Sequence, residues 1–401
     1  MNDYTMTFLY GNRKNMPAVA NVLNHHNSFY KRVLIKQPNY KKDDLRKYNS
    51  NIPSLLVIEF IYTDIDLIFA RIDPDTLAFI AKRRIPILFY FPTEGFCIKE
   101  AGWTVTLANQ FKKYNLRKNL KYFITGNLIN SSIDIFDKTY SLNCFERVLN
   151  LATGNNDLLK FKRLKLKKPY DFLSYNANPR PGRNALASDI LRLGLNENAL
   201  FSWIGGSALH FDKPNRRASL EFLDSPGKKY FKRIFKKKFK PYVLDVDKHS
   251  KKEVINFINV DHYCNSYFSL VSETETSDQC IFITEKTYKP IYAGHPFILW
   301  GSPGMLNYLR SIGYKTFPTL FDESYDNELD PVKRLAMILA EVKKFKELNI
   351  KEKQNLIKMQ NDIVEHNYQH LLSRWDTTFD MDIDHIIMDI KNDIKENKDR
   401  L

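Results

Sequence analysis

The chain of 401 residues is short of cysteine, of long apolar runs and of any leader-like start. Its four cysteines form no Cys-x-x-Cys pair and have no paired histidine nearby, so we expect reduced, unligated core residues of a cytosolic protein. The first residues do not join a charged start to a long apolar run, which predicts that there is no signal peptide. No window reaches about 18 apolar residues, the length that crosses a bilayer. A soluble, cytoplasmic protein is therefore expected. The cysteines are Cys97, Cys144, Cys264 and Cys280.

Acidic residues are also scarce relative to basic ones, and the formal net charge is +15. Such an excess favours polyanionic partners: nucleic acid, an anionic membrane surface or phosphorylated ligands. Hydrophobic residues make up 43% of the chain and aromatic residues 13%, enough for packed cores. A chain of this length suits two domains rather than one.

Short apolar runs alternate with polar, periodic stretches in the first half of the chain. This rhythm is typical of a parallel β-sheet covered by helices. A helix is predicted at Asp75–Arg84, leading into the strand that starts at Ile85. The predicted strands are Thr5–Tyr10, Ser54–Ile61, Asp66–Ala70, Ile85–Phe91 and Lys121–Ile124.

A second α/β pattern follows a basic connecting segment at residues 151–168. We expect an acceptor-side α/β domain at 1–155, a ligand-binding α/β domain at 170–348, and C-terminal helices at 349–401 that pack back on the first domain. Ligands of such sheets bind beyond the carboxyl ends of the strands. Strands are predicted at Asp171–Tyr175, Leu200–Ile204 and Tyr267–Val271, and helices at Arg183–Leu193, Pro331–Leu348 and Lys351–Leu372.

The stretch "FITEKTYKPIYAGHPFILWGSP", residues 282–303, joins charged residues to a helix start. Thr284 is a good N-cap, and Glu285 suits the positive end of a helix dipole. Lys286 does not suit it unless an anion such as a diphosphate binds there. The alternative is an exposed ion pair between the two neighbours. Pro290 is expected to break or kink the helix after one turn.

This stretch resembles the donor-binding motif of the α1,3-fucosyltransferase family (glycosyltransferase family 10). The match covers "YFSLVSETETSDQCIFITEKTYKPIYAGHPFILWGSP", residues 267–303, in order and spacing. The resemblance implies that the nucleotide sugar is bound by residues of this motif. They are Glu273, Thr274, Phe282, Thr284, Glu285 and Lys286, and the chain departs from the family pattern at Thr274 and Phe282.

Two further matches extend the resemblance. "FLSYNANPRPGRNALASDIL", residues 172–191, puts Arg183 at the position of the family's diphosphate-binding arginine, with Arg180 as competitor and Asn178 as a further donor ligand. A planar guanidinium there suits paired hydrogen bonds to phosphate. "ILFYFPTEGF", residues 87–96, puts Glu94 at the position of the catalytic base, with Glu100 as the fallback.

The resemblance implies a GT-B glycosyltransferase: two doubly wound, Rossmann-like domains facing a cleft. It further implies inverting transfer of fucose or another sugar from a nucleotide diphosphate sugar to a hydroxyl acceptor such as a glycan, without a bound metal. A GDP-sugar is the favoured donor and a UDP-sugar the alternative. Asp64-x-Asp66 and Asp245-Val246-Asp247 lie away from a plausible metal site. The alternatives are transfer to hydroxylated DNA bases, and an inactive nucleotide-sugar-binding protein.

The segment "KKYFKRIFKKKFK", residues 228–240, contains eight basic residues and phenylalanines spaced by four. As a helix it has one aromatic stripe and a cationic remainder. The stripe packs on its own domain, lies on an anionic membrane surface, or accompanies a basic face that follows the phosphates of nucleic acid. The sequence leaves these three interpretations open.

Overall fold

Two parallel β-sheets organise the part of the chain that the computed structural model describes. Clustering of contacts divides the chain into two compact units, 1–148 with 376–401, and 149–375. The described residues are 7–10, 54–59, 69, 74–91, 102–126, 133–143, 145, 167–177, 179–203, 213–236, 241–244, 258–278, 280–375 and 378–397.

The secondary structure alternates between strands and helices. The strands are β1 Thr7–Tyr10, β2 Ser54–Glu59, β3 Ile87–Phe91, β4 Lys121–Thr125, β5 Lys138–Ser141, β6 Tyr170–Ser174, β7 Leu200–Phe201, β8 Ser266–Ser272 and β9 Phe297–Trp300. The helices are α1 Pro74–Lys82, α2 Trp103–Lys113, α3 Pro181–Arg192, α4 Lys213–Ser219, α5 Ser225–Lys236, α6 Val260–Asn265, α7 Glu285–Tyr292, α8 Met305–Ser311, α9 Pro331–Glu347, α10 Ile350–Met359, α11 Asn361–Trp375 and α12 Thr378–Glu396. Single 3-10 turns occupy Leu220–Phe222 and Glu323–Asn327.

The first unit is built on a five-stranded sheet of order β1-β2-β3-β4-β5, parallel throughout. β3 and β4 are buried along their whole length, as expected for central strands covered on both faces. Phe89, Phe123 and Phe136 form a close aromatic group between the sheet and its helices, with the rings of Phe123 and Phe136 stacked 4.9 Å apart. This apolar core fixes the sheet of the first unit.

The C-terminal helix α12 is attached to this sheet by charged hydrogen bonds. The Asp393 carboxylate accepts from the Tyr122 hydroxyl at 2.7 Å. The Asp389 carboxylate accepts from the Tyr140 hydroxyl at 2.6 Å and from the Lys138 ammonium at 3.0 Å. The hydrogen bond from Tyr140, the bond from Lys138 and the charge of Lys138 together lower the pKa of Asp389. The end of the chain thus belongs to the first unit.

The second unit contains a four-stranded sheet of order β7-β6-β8-β9, also parallel throughout. The chain starts at β6, moves to β7 on one side, and then crosses to β8 and β9 on the other. The direction of winding therefore reverses between β6 and β8. In doubly wound sheets this reversal opens a crevice at the carboxyl ends of the two strands.

The sequence predictions for the elements are confirmed in outline. The α/β class is confirmed, and β1, β2, β3, β4, β6, β8, α1, α3 and α9 lie within a few residues of the predicted runs. The sequence analysis does not predict α2 and β5. The predicted strand Asp66–Ala70 lies outside the described residues apart from Phe69.

Two predictions about helices are wrong. The helix predicted at Lys351–Leu372 is two helices, α10 and α11, separated at Gln360. The prediction that Pro290 breaks its helix after one turn is wrong, because α7 continues to Tyr292, whereas the alternative of a kink stays a prediction. The proline removes only the N–H that would bond to the carbonyl of residue 286, and the helix ends two residues later in any case.

Of the predicted C-terminal helices, α10 and α11 fall in the second unit and α12 in the first. Among the described helices, none combines the length and apolar composition that crossing a membrane requires. Of the four cysteines, Cys280 is buried and Cys264 half-buried, whereas Cys97 and Cys144 lie outside the described residues.

Replacing Asp389 with asparagine is expected to destabilise the first unit by about 1 kcal/mol at neutral pH. The substitution removes the negative charge and one acceptor oxygen from a half-exposed side chain that binds Lys138 and Tyr140. The folded pKa of Asp389 is lowered, so its contribution is present above the ordinary aspartate range and is lost as the pH falls through the folded pKa. Urea unfolding should therefore show a smaller difference between wild type and Asp389→Asn near about pH 3 than at neutral pH. Asp134→Asn, a change of an exposed aspartate in the same unit, should show no difference. An equal effect of Asp389→Asn at both pH values would contradict this account.

Candidate functional site

The crevice between β6 and β8 is bordered by the loops that follow these two strands. The loop after β6 leads to α3, whose first residue is Pro181. The loop after β8 begins at Glu273 and leads to α7, which starts at Glu285 after the N-cap Thr284. Both helices therefore begin close to the carboxyl edge of the sheet, where the sequence predicts donor-binding residues.

The carboxylate of Glu273 holds the start of α7 against the end of β8. The side chain is fully buried, with 0% exposure. Its oxygens accept from the Thr284 amide at 3.0 Å, the Thr284 hydroxyl at 2.7 Å and the Thr287 hydroxyl at 2.6 Å. The Thr274 amide donates to it at 3.3 Å. A buried carboxylate needs such donors, and together they fix both ends of the loop 274–283.

Thr284 connects Glu273 to the predicted anion-binding lysine. Its hydroxyl caps α7 by accepting from the Lys286 amide at 3.3 Å, and it accepts from the Lys286 ammonium at 3.0 Å. The same ammonium lies 2.8 Å from the Glu285 carboxylate. The Lys286 side chain is 29% exposed to solvent and the Glu285 side chain 12% exposed. The ion pair at the helix start is therefore largely enclosed, unlike an exposed surface pair.

A second lysine, Lys289, belongs to the same charged group. Burial lowers the pKa of Lys289 to about 8; the charge of Glu285 raises it and that of Lys286 lowers it further. Burial by itself raises the pKa of Glu285, but Lys286 and Lys289 outweigh burial and the net shift is downward. Two ammonium groups thus share one carboxylate. The excess of positive charge favours the binding of an anion. The sequence analysis does not single out Lys289, although its spacing of four from Glu285 places both on one face of the helix.

Arg183 also lies at the end of β8. It is the third residue of α3, only 4% exposed. Its Nη2 donates to the carbonyl oxygen of Ser272 at 3.2 Å and to that of Glu273 at 3.4 Å. The guanidinium is therefore fixed at the point where β8 ends.

Close packing at Gly182 brings α3 to this position. The indole of Trp300, the last residue of β9, donates to the Gly182 carbonyl at 2.9 Å. A Cβ at Gly182 would lie 2.7 Å from the side chain of Thr276, in the loop after β8. Only a residue without a side chain leaves room for helix, loop and strand end to meet.

The structure thus brings Arg183 and Lys286 to one strand end. Arg183 contacts the carbonyl of Glu273, the Glu273 carboxylate binds the Thr284 hydroxyl, and that hydroxyl accepts from Lys286. The oxygen atoms of Glu273 are used within the protein, so this side chain positions the site rather than extending into it.

The other predicted residues are placed differently. Phe282 is a core residue, buried to 2% exposure. Thr274 is half-buried on the loop after β8. Arg180 is the half-buried N-cap of α3 in an extended conformation. Asn178 and Glu94, with the fallback Glu100, lie outside the described residues, as do both Asp-x-Asp sequences.

Three buried polar atoms at the same edge find no hydrogen-bond partner among the described residues: Asn176 Oδ1, Ser272 Oγ and Ser302 Oγ. Asn176 follows β6, Ser272 ends β8 and Ser302 follows β9. Unpaired polar atoms are rare in protein interiors, and parallel strands bring their carboxyl ends to one edge. The sequence analysis does not identify them, because single serine and asparagine residues carry no pattern.

Comparison of the chain with models of protein families, with curated proteins and with solved structures found no match. Within the described ranges, no three histidine, cysteine or acidic side chains come together in a way that could hold a metal ion. The site consists of a guanidinium, two ammonium groups and a carboxylate at the start of two helices. Such a set is suited to bind an anion that also carries hydroxyl groups.

Replacing Glu273 with glutamine is expected to lower the free energy of unfolding by about 3 kcal/mol, because the amide nitrogen cannot accept from the donors that the carboxylate satisfies. Urea unfolding followed by fluorescence measures the change. Glu347→Gln, a change of an exposed glutamate on α9 paired with Lys343, should stay within about 0.5 kcal/mol of wild type. Similar unfolding midpoints for the two variants would show that Glu273 does not hold the site together.

Proposed function

We propose that the protein is an inverting glycosyltransferase that moves a sugar from a nucleotide diphosphate sugar to a hydroxyl group. The observation that carries the proposal is the chain of hydrogen bonds at the end of β8 that connects Arg183 to Lys286 through Glu273 and Thr284. The resemblance of residues 172–191 and 267–303 to the α1,3-fucosyltransferases assigns diphosphate binding to the same two residues. Two independent lines, sequence pattern and geometry, therefore favour one site.

The electrostatic task in this reaction is to stabilise the leaving diphosphate. The bond between the anomeric carbon and the diphosphate oxygen breaks with its electron pair on that oxygen, so negative charge grows there. A planar guanidinium and an ammonium fixed nearby oppose this charge without having to reorganise. In the proposed mechanism Glu285, which pairs with Lys286 and interacts with the charge of Lys289, accepts hydrogen bonds from ribose or sugar hydroxyls.

The acceptor hydroxyl must lose its proton as its oxygen bonds to the anomeric carbon. Glu94, assigned by resemblance alone, takes this proton in the proposed mechanism. A single displacement of this kind inverts the configuration of the anomeric carbon.

Parallel sheets in both units are compatible with a GT-B architecture, which belongs to the proposal. We favour a GDP-sugar as donor, with a UDP-sugar as alternative, and a glycan in the cytoplasm as acceptor. An inactive nucleotide-sugar-binding protein is the competing function, and it would bind the donor without transfer or hydrolysis.

Lys286→Ala should weaken binding of GDP or UDP by about 10- to 100-fold, the loss expected for one hydrogen bond to a charged group. Isothermal titration calorimetry with the two nucleotides measures it. Lys333→Ala, which removes an exposed lysine from α9 in the same unit, provides the matched control. Unchanged affinity in Lys286→Ala, with wild type binding the nucleotide, would remove this residue from the site.

Glu94→Gln should lower kcat by about 100- to 10,000-fold, because a general base contributes by that factor, while the dissociation constant of the donor stays near the wild-type value. Donor hydrolysis and transfer to a mixture of glycan acceptors give the rate. Wild-type turnover in the variant would exclude Glu94 as the base. Donor binding by wild type without hydrolysis or transfer would favour the inactive protein instead.

A further inference from the structure

Helices α4 and α5 of the second unit present six exposed basic residues. The cationic face, as we name it, consists of Arg216, Arg217, Lys228, Lys229, Lys232 and Arg233. Helix α5, with the sequence SPGKKYFKRIFK, contains no acidic residue. This surface belongs to the segment for which the sequence leaves three interpretations open, and it is not part of the proposed donor site.

The aromatic stripe of α5 faces its own unit. Phe231 is 2% exposed, and its ring lies 4.7 Å from that of Phe235. The ring of Phe235 in turn meets Trp203 edge-on at 5.7 Å. At about 100° per residue, the four basic residues of α5 cover an arc of about 140°, and Tyr230, Phe231, Ile234 and Phe235 cover a separate arc of similar width.

Helix α5, which carries four of these residues, runs along α3 toward the edge that carries Arg183. A Cβ at Gly227, near the start of α5, would lie 3.0 Å from the carboxylate of Asp189, in the later part of α3. Trp203, which meets Phe235 near the end of α5, donates to Asn184 in the first turn of α3 at 3.1 Å. The two helices are therefore antiparallel, and the end of α5 lies beside the start of α3.

This arrangement distinguishes a membrane from nucleic acid. A helix that lies in a membrane surface buries an exposed apolar face among the lipids, but the apolar face of α5 is packed against Trp203. The guanidinium of Arg233 lies over the half-buried ring of Tyr230, 5.0 Å from the ring centre. In proteins that bind single-stranded nucleic acid, bases stack on aromatic rings and guanidinium planes, and neighbouring basic side chains neutralise the phosphates. The cationic face offers both kinds of group.

We propose that the cationic face binds the sugar–phosphate backbone of a single-stranded nucleic acid. The lysines neutralise phosphates, and Tyr230 with Arg233 stacks against a base. This inference is independent of the proposed transferase activity, since it involves neither the donor site nor the proposed catalytic base Glu94.

The test is fluorescence anisotropy of a labelled oligodeoxynucleotide of about 20 nucleotides, titrated with the full chain over a series of salt concentrations. Lys228, Lys229, Lys232 and Arg233 are changed together to glutamine. The slope of log K against log salt should become shallower by about 3, because each lost contact with a single strand removes about 0.7. Affinity near about 0.1 M salt should fall at least about tenfold.

The matched control removes the same charge elsewhere on the second unit, by changing Lys315, Lys333, Lys351 and Lys358, all exposed, to glutamine. Its slope should stay near wild type. If the fourfold variant does not fold, as judged by circular dichroism, the pair Lys228→Gln and Lys232→Gln replaces it, with an expected change of about 1.4. A wild-type slope in the variant, or an equal loss in the control, would overturn the proposal. So would wild-type protein that ignores the oligonucleotide but binds vesicles containing roughly one-third phosphatidylserine, since that result assigns the face to a membrane.

Discussion

The buried carboxylate of Glu273 is the interaction on which the second unit's candidate site depends. It receives hydrogen bonds from two threonine side chains and from backbone amides, and its own amide donates to the carbonyl of Trp300 on β9 at 2.9 Å. The side chain thereby joins the end of β8, the loop after it and α7, and the backbone amide adds β9. The carboxylate holds the start of α7, and with it Lys286, at the strand end where Arg183 is bound through backbone carbonyls.

A buried ion pair supports the opposite end of this sheet, where β6 begins. Lys353 on α10 donates to the Asp171 carboxylate on β6 at 2.6 Å, and both side chains are largely buried. Burial of an ion pair is costly unless the partners are well placed, and here the pair connects residues far apart in sequence. The sheet is thus held at both ends by buried charged contacts.

Much of the fold follows from patterns that are visible in the sequence. The apolar run of β3 is continuous and that of β8 is interrupted by Ser269, and both predict buried parallel strands. Thr284 predicts the start of α7. The polar strand β5, KTYS, carries no such pattern, because it lies at the edge of its sheet and is only partly buried. The break between α10 and α11 depends on tertiary contacts: Gln360 is fully buried and exchanges hydrogen bonds with Thr319. The spacing of Lys289 from Glu285 is visible in the sequence, but the burial that lowers its pKa depends on packing, which single-residue patterns do not encode.

The return of the last helix to the first sheet has a consequence for synthesis. The second unit is one uninterrupted stretch, 149–375, whereas the first requires residues from both ends of the chain. Synthesis from the amino terminus makes residues 149–375 before it supplies α12, the partner of Tyr122 and Tyr140. The sheet of the unit that begins first therefore gains these carboxylate acceptors only after the sequence of the second unit has been made.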